Sequence, residues 1–413
     1  MIRQASFPIL LLSGPALAFA IKGFAPILAL AGLAAILALL VQRSFHRPAL
    51  RATWRDLPAV LVAAFAYVLA SVVWGISERA VDTGIRLMLV VSFTCAVIVV
   101  FNNLSDEQKM RWARRLRLSL GFGVFAALII GPYNAYWPGA VDFMGTYFEL
   151  LRQVNNSLTV LPAFLFILLG SWLGARTWLQ VLIIVITCGV TFISESQTSF
   201  LAMVLALIAF GLAKISVPLC RHLIFASLAL CTLASPLIFS AAYQGKWVAN
   251  YAPQTFAERG AGEVREWIYH VYAEETANKP LFGHGINGTK DFKPADLEAY
   301  IAQTSDAPDL QNILRTDTQS GAVAAHAHNL FLQLIFEFGY VGALLVLAAV
   351  WRFFAWLDDY ADAHQAPYYW ASIAACLATV LFGLTLWHSW FMAAIACLVI
   401  FTHMCAAYGR RAA

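Results

Sequence analysis

The polar stretch near 262–325 and the apolar run after it hold residue types that could serve a group transfer releasing an anion, arginines such as Arg265 and histidines such as His328 among them. An imidazole exchanges protons near ambient pH, so a histidine can take one from an attacking hydroxyl. A guanidinium stays charged and offers a planar fork of donors, so an arginine holds departing negative charge better than a lysine does. Arg265 falls in a run of helix formers, 262–275, that places Arg265, Ile268, Tyr269 and Tyr272 on one face. This helix is expected to stop before Pro280, where Gly283, Gly285 and Gly288 supply a tight turn. His328 opens an apolar run beginning Ala325-His326-Ala327-His328-Asn329 and containing Gln333, Glu337, Gly339 and Gly342. The chain holds no acidic cluster of the Asp-x-Asp kind and no cysteine pair at metal spacing. Metal-independent chemistry with no cofactor is therefore expected.

Composition says what kind of element positions these groups. Of 413 residues, 61% are hydrophobic and only 12% charged, and the mean hydropathy is +0.72, far from the average of soluble domains. A soluble enzyme is excluded. The apolar residues come in blocks of about 15–22, long enough to cross a bilayer as helix and too long for the strands of a barrel. The expected fold is an all-α polytopic membrane protein with twelve transmembrane helices, near 6–22, 24–42, 57–75, 87–103, 118–133, 157–174, 179–194, 199–214, 222–243, 328–351, 368–387 and 391–408. It divides into helices one to nine (1–243), one large loop containing helices (244–325) and helices ten to twelve (326–413). With a cytoplasmic N-terminus, sixteen Lys and Arg lie on the inner side, Arg47, Arg111, Arg114 and Arg115 among them. Short outer loops then hold four, Lys22, Arg79, Arg86 and Arg152, and the remaining seven of the 27 sit in the large loop. That asymmetry puts both termini inside and the large loop outside. A net charge of +4 implies no surface for nucleic acid. No small-residue cleavage site follows the first apolar block, so it is expected to be retained. The seven cysteines all lie in or beside apolar blocks, as packing residues would.

His328-Asn329, nine residues, Gly339, two residues and Gly342 resemble the signature of the O-antigen ligase and polymerase superfamily. The upstream Arg265-x-Trp267 and Asn278-Lys279-Pro280-Leu281-Phe282-Gly283-x-Gly285 are similar to the outer-loop pattern of the same family. The resemblance is carried by 265–342 and extends to the whole chain only through the span layout. It implies transfer of an O-polysaccharide from a polyprenyl (undecaprenyl) diphosphate carrier to a hydroxyl of lipid A-core, at the periplasmic face of the inner membrane. His328 would be the general base and Arg265 would stabilise the diphosphate, with Asn329, Gly339, Gly342 and His326 supporting the motif. The chain departs from the family at Ser196-Gln197-Thr198, where relatives often carry an arginine in place of Gln197. Arg86, at the outer start of the fourth span, is the candidate substitute cation to share the diphosphate with Arg265 and Gln197, the plainer reading being an interfacial snorkelling arginine.

Several plainer readings compete. Gly283-x-Gly285-x-x-Gly288 spells a dinucleotide fingerprint, but Asn278-Lys279-Pro280 precedes it where a strand is required. Asn287-Gly288-Thr289 is expected to be a polar turn rather than a glycan acceptor, and His326, His270 and His284 interfacial polar groups. Glu337 lies nine residues past His328, roughly 13 Å along the helix, so it should pair inside the bundle or be neutral. A transporter would place ionisable groups at mid-span on repeated halves, whereas here they gather at one face without a repeat. By analogy with the family, the moderate length, the single large loop and the lack of an appended C-terminal soluble domain favour ligase over polymerase and protein O-oligosaccharyltransferase.

Overall fold

The computed structural model describes residues 4–41, 59–136, 147–172, 177–194, 197–247, 250, 261–294, 297–302, 311, 315, 323, 329–360, 362–382 and 385–412. All regular structure among them is helical. In chain order the helices are α1 (Ser6–Leu10), α2 (Ser13–Phe19), α3 (Phe24–Val41), α4 (Ala59–Ala70), α5 (Ala80–Asn102), α6 (Asp106–Tyr136), α7 (Tyr147–Ser171) and α8 (Thr177–Ile193). They continue as α9 (Gln197–Ile215), α10 (Val217–Gln244), α11 (Ala261–Thr276), α12 (Leu297–Ala302), α13 (Leu330–Tyr360), α14 (Ala366–Phe382) and α15 (Ser389–Ala412). Each of the twelve apolar blocks read from the sequence overlaps a helix. Among the described residues six stretches are long and apolar enough to cross a membrane: Ile21–Val41, Ala80–Asn102, Thr198–Ile215, Val217–Gln244, Leu330–Asp358 and Ser389–Ala406.

Packing follows the logic of a lipid solvent. In α3 the large residues Leu30, Leu33, Leu37 and Leu40 face outward, while Ala31, Gly32, Ala35 and Ala38 are buried. Lipid tails reward Leu on the outside as well as the interior would, so small residues take the contact face and let helices approach closely. Gly32 shows it: a methyl there would collide with Phe93 of α5. The block at 6–22 is two short helices, and the block at 57–75 is helical only to Ala70, with Ser71–Ser77 bent away to contact the large loop.

Polar contacts mark the two ends of the bundle. Arg221, starting α10, pairs with Asp358, ending α13, at 2.7 Å, and Phe225 packs on Trp351 while the Tyr340 hydroxyl approaches the Leu233 carbonyl. These contacts make α10 and α13 antiparallel. Trp370 and Tyr368, in the first turn of α14, hydrogen-bond Asp358 and Gln180 at that same end. The first turn of α13 and the segment 261–294 therefore occupy the opposite end, with the start of α9 at Gln197 and the start of α5.

Candidate functional site

Helix α13 is broken at Gly339, whose φ of 63° and ψ of −175° no helix contains. In an unbroken helix the amides of Tyr340 and Val341 would donate to the carbonyls of Phe336 and Glu337. Here Tyr340 and Val341 donate instead to the carbonyls of Pro280 and Leu281, at 2.8 and 3.1 Å. The vacated carbonyls of Phe336 and Glu337 accept from the amides of His284 and Gly285, at 2.9 and 2.7 Å. The Tyr67 hydroxyl of α4 donates to the Phe338 carbonyl at 2.9 Å. Every backbone group exposed by these exchanges is satisfied, as a site inside a membrane protein requires.

The glycines of the two sequence patterns are thus two halves of one joint. A methyl on Gly339 would strike the Leu281 backbone, and one on Gly283 would meet the Glu337 carbonyl and the Gly339 amide at 2.6 Å. Gly285, at φ 84°, lies against Gly75. Gly339→Ala combines a left-handed backbone, about 1–3 kcal/mol for such strain, with a backbone collision, and should sharply lower the melting temperature or yield of purified protein. Gly189→Ala, where a methyl meets nothing within 4 Å, should leave melting unchanged. Equal melting of the two would show that the break does not depend on Gly339.

A polar node fixes the turn that the joint holds. Glu337 is fully buried, and its Oε1 accepts from the Thr289 hydroxyl at 2.8 Å and from Gln333 at 3.0 Å, while Oε2 accepts from the Trp387 indole at 2.7 Å. Gln333 also donates to Thr385 at 3.1 Å. The expectation that Glu337 pairs inside the bundle holds, and its partners come from the loop and from the link between α14 and α15. Asn287 is buried, with its amide 3.2 Å from the Thr83 hydroxyl of α5, and Thr289 is 1% exposed. The glycan-acceptor spelling is therefore a packed turn. His284 stacks on Phe336 at 4.2 Å, and burial pushes its imidazole below the ordinary histidine range. His270 stacks on Tyr243 at 4.2 Å. Both are aromatic packing partners rather than wetted interfacial groups.

Helix α11 spans the expected segment, with Trp267, Ile268, Val271 and Tyr272 on its buried stripe against Leu332, Phe336 and Phe292. The stripe is rotated from the expected face, because Trp267 and Val271 are inside while Arg265 and Tyr269 lie at its edge, partly exposed. Tyr272 meets Phe336 edge-on at 4.8 Å, and its hydroxyl donates to the Thr289 carbonyl at 2.6 Å. Beyond Thr276 the chain reaches the α13 break within a few residues, so the start of α11 points away from the break. Arg265 lies seven residues before Tyr272, and Asn329 seven before Phe336. Each is thus about 10 Å along its own helix from one shared contact, on the side away from the break. Burial pushes the Tyr269 phenol up to about 12, and the neighbouring Arg265 charge partly offsets this.

Asn329 is the N-cap of α13: its side-chain oxygen accepts from the Leu332 amide at 3.2 Å. His328 and His326 lie outside the described residues. Gln197 is the first residue of α9, and its side chain is also outside them. Arg86 stands one turn beyond Thr83 on α5, near the turn, but its guanidinium already forks onto Asp82, at 2.6 and 3.1 Å. No group of three or more metal-ligating side chains occurs among the described residues. Sequence reasoning missed Thr289, Gln333, Trp387 and Tyr67 as partners. Of these, Thr289 is singled out by the sequence only as part of an expected polar turn, where it lies.

A family model described as O-antigen ligase matches residues 182–347, which contain α11, the glycine turn and the break. A candidate polysaccharide ligase of Rickettsia conorii is 21% identical over 310 residues, covering 73% of this chain and 70% of that protein. A candidate polysaccharide ligase of Rickettsia felis is 22% identical over 286 residues, 69% of this chain and 64% of its own length. One of Rickettsia typhi is 24% identical over 167 residues, 40% of this chain and 37% of its own. No solved structure matches the chain. The matched stretch contains the joint that Gly283 and Gly339 build, so the chain's similarity to O-antigen ligases falls on the candidate site itself.

Proposed function

We propose that this protein joins an O-antigen polysaccharide, carried on undecaprenyl diphosphate, to a hydroxyl of lipid A-core at the periplasmic face of the inner membrane. The acceptor oxygen attacks the anomeric carbon while the bond from that carbon to the diphosphate oxygen breaks. The acceptor proton passes to His328, and the negative charge left on the carrier is held by Arg265. No step requires a metal. The single observation that carries this reading is the matched placement of Arg265 and Asn329, two turns from the Tyr272–Phe336 contact. It supports a base next to Asn329 and a cation on α11 serving one reacting centre. Arg86 is the second cation, and it would exchange Asp82 for phosphate when donor arrives.

The acceptor is tested by incubating the purified protein with polyprenyl-linked glycan and either lipid A-core or unattached glycan. Elongated lipid A-core supports ligation. Elongation of the free glycan alone would make the protein a polymerase, and a protein acceptor would make it an O-oligosaccharyltransferase. In this reading the twelve helical blocks all cross the membrane and both termini are cytoplasmic. Cysteines placed at Arg47 and Arg114 should then resist an impermeant maleimide in intact spheroplasts, while those at Lys290 and Arg315 should react. Labelling at position 114 would overturn the orientation.

A further inference from the structure

A groove of about 230 Å³ runs between α9, α10 and α14 and ends at Phe331, in the first turn of α13. Helix α14 packs closely along α9 but meets α10 at few positions, and the space between them is the groove. Its floor is Leu205, Ala209 and Leu212 of α9, its far wall includes Ala378 of α14, and its lining is apolar apart from Ser227. Ile208 and Leu223 on the rim are 53% and 44% exposed, so it opens sideways along the helices.

We propose that this groove holds the isoprenoid chain of the lipid-linked donor, with the diphosphate at its Phe331 end. Three features of the structure choose that occupant. Phe331 stands two residues from Asn329, so the apolar channel leads directly to the residues assigned to chemistry. Helix α9, which forms the floor, starts at Gln197, eight residues and about 12 Å before Leu205, so one helix serves both the head and the tail of one molecule. The groove follows the helix axes from the loop end toward the end marked by Arg221 and Asp358, which is the direction a chain must take if its head stays at the loop. The proposal rests on the transfer reading above.

Ser227 is exposed on the rim, so Ser227→Trp fills the groove without entering packed core. Leu230, on the same helix and 68% exposed, lies off the groove, and Leu230→Trp serves as control. Each buried methylene of a lipid chain changes affinity by about fourfold, so displacing several should raise KM for the undecaprenyl-linked donor by about tenfold or more. KM for a donor with the same glycan on a two-isoprene diphosphate should not move, and Leu230→Trp should change neither. Equal effects on both donors, or none on the long one, would overturn the assignment. Should wild-type protein transfer from neither donor, the transfer reading fails by itself, and the groove is then judged by crosslinking. An undecaprenyl diphosphate carrying a chain diazirine should label Leu205–Leu212 and the 223–228 stretch, and excess phospholipid should not compete. Labelling spread over the outer helix faces, or lost to phospholipid, would mean that ordinary acyl chains fill the groove.

Discussion

His328→Ala should lose glycan transfer by about 10²–10⁴-fold, the usual contribution of a general base, while still inserting in the membrane and binding lipid-linked donor. Asn329 caps α13 through its own side chain, and the Glu337 node two turns further on is held by Thr289, Gln333 and Trp387. His328→Gln should be nearly as poor, since an amide can hold the acceptor hydroxyl but cannot accept its proton. The neighbouring residue gives the contrast. Asn329→Ala removes a cap worth about 1 kcal/mol and should lower stability, whereas Asn329→Asp keeps the accepting oxygen and should melt like wild type. Transfer by His328→Ala at near wild-type rate across a pH series would remove the histidine from the reaction.

Much of this architecture was legible because the bilayer leaves so few options. An apolar run of sufficient length must be helical to satisfy its backbone, and every block read from the sequence falls on a helix. Helix α11 was legible from its formers and from Pro280 beyond it. What sequence could not show is where helices stop being continuous. The run after His328 reads as one unbroken span, and Gly339 and Gly342 read as a signature. The break exists because the amides and carbonyls it frees find partners at Pro280, Leu281, His284 and Gly285, more than fifty residues earlier in the chain. Periodicity over a local window has no access to such partners. The same distance hid Tyr67 and Trp387, and it left Thr289 as one residue of an expected polar turn when its hydroxyl also donates to the buried Glu337. Asp82 is a different lapse. Its i to i+4 relation to Arg86 is visible in the sequence and predicts the ion pair found.

That ion pair shapes the expected result at the other half of the site. Arg265→Lys should be clearly impaired although its charge is kept, because an ammonium cannot make the forked pair with a diphosphate. Arg265→Ala should lose about 10²–10³-fold, the scale found when one donor to a developing anion is removed. Arg265 lies partly exposed at the edge of the stripe by which Trp267, Ile268 and Tyr272 hold α11, so neither change should disturb folding. Arg86 should matter less, since Asp82 already satisfies its fork at rest and donor must displace that carboxylate. Asp82→Asn should therefore tighten donor binding if Arg86 reaches the diphosphate, and Arg86→Ala should weaken it. Gln197→Arg adds a cation at the start of α9, and it should partly rescue Arg86→Ala. Full activity of Arg86→Ala, with no effect of Asp82→Asn, would leave Arg265 as the cation of the site and make the Arg86–Asp82 pair a local support of α5.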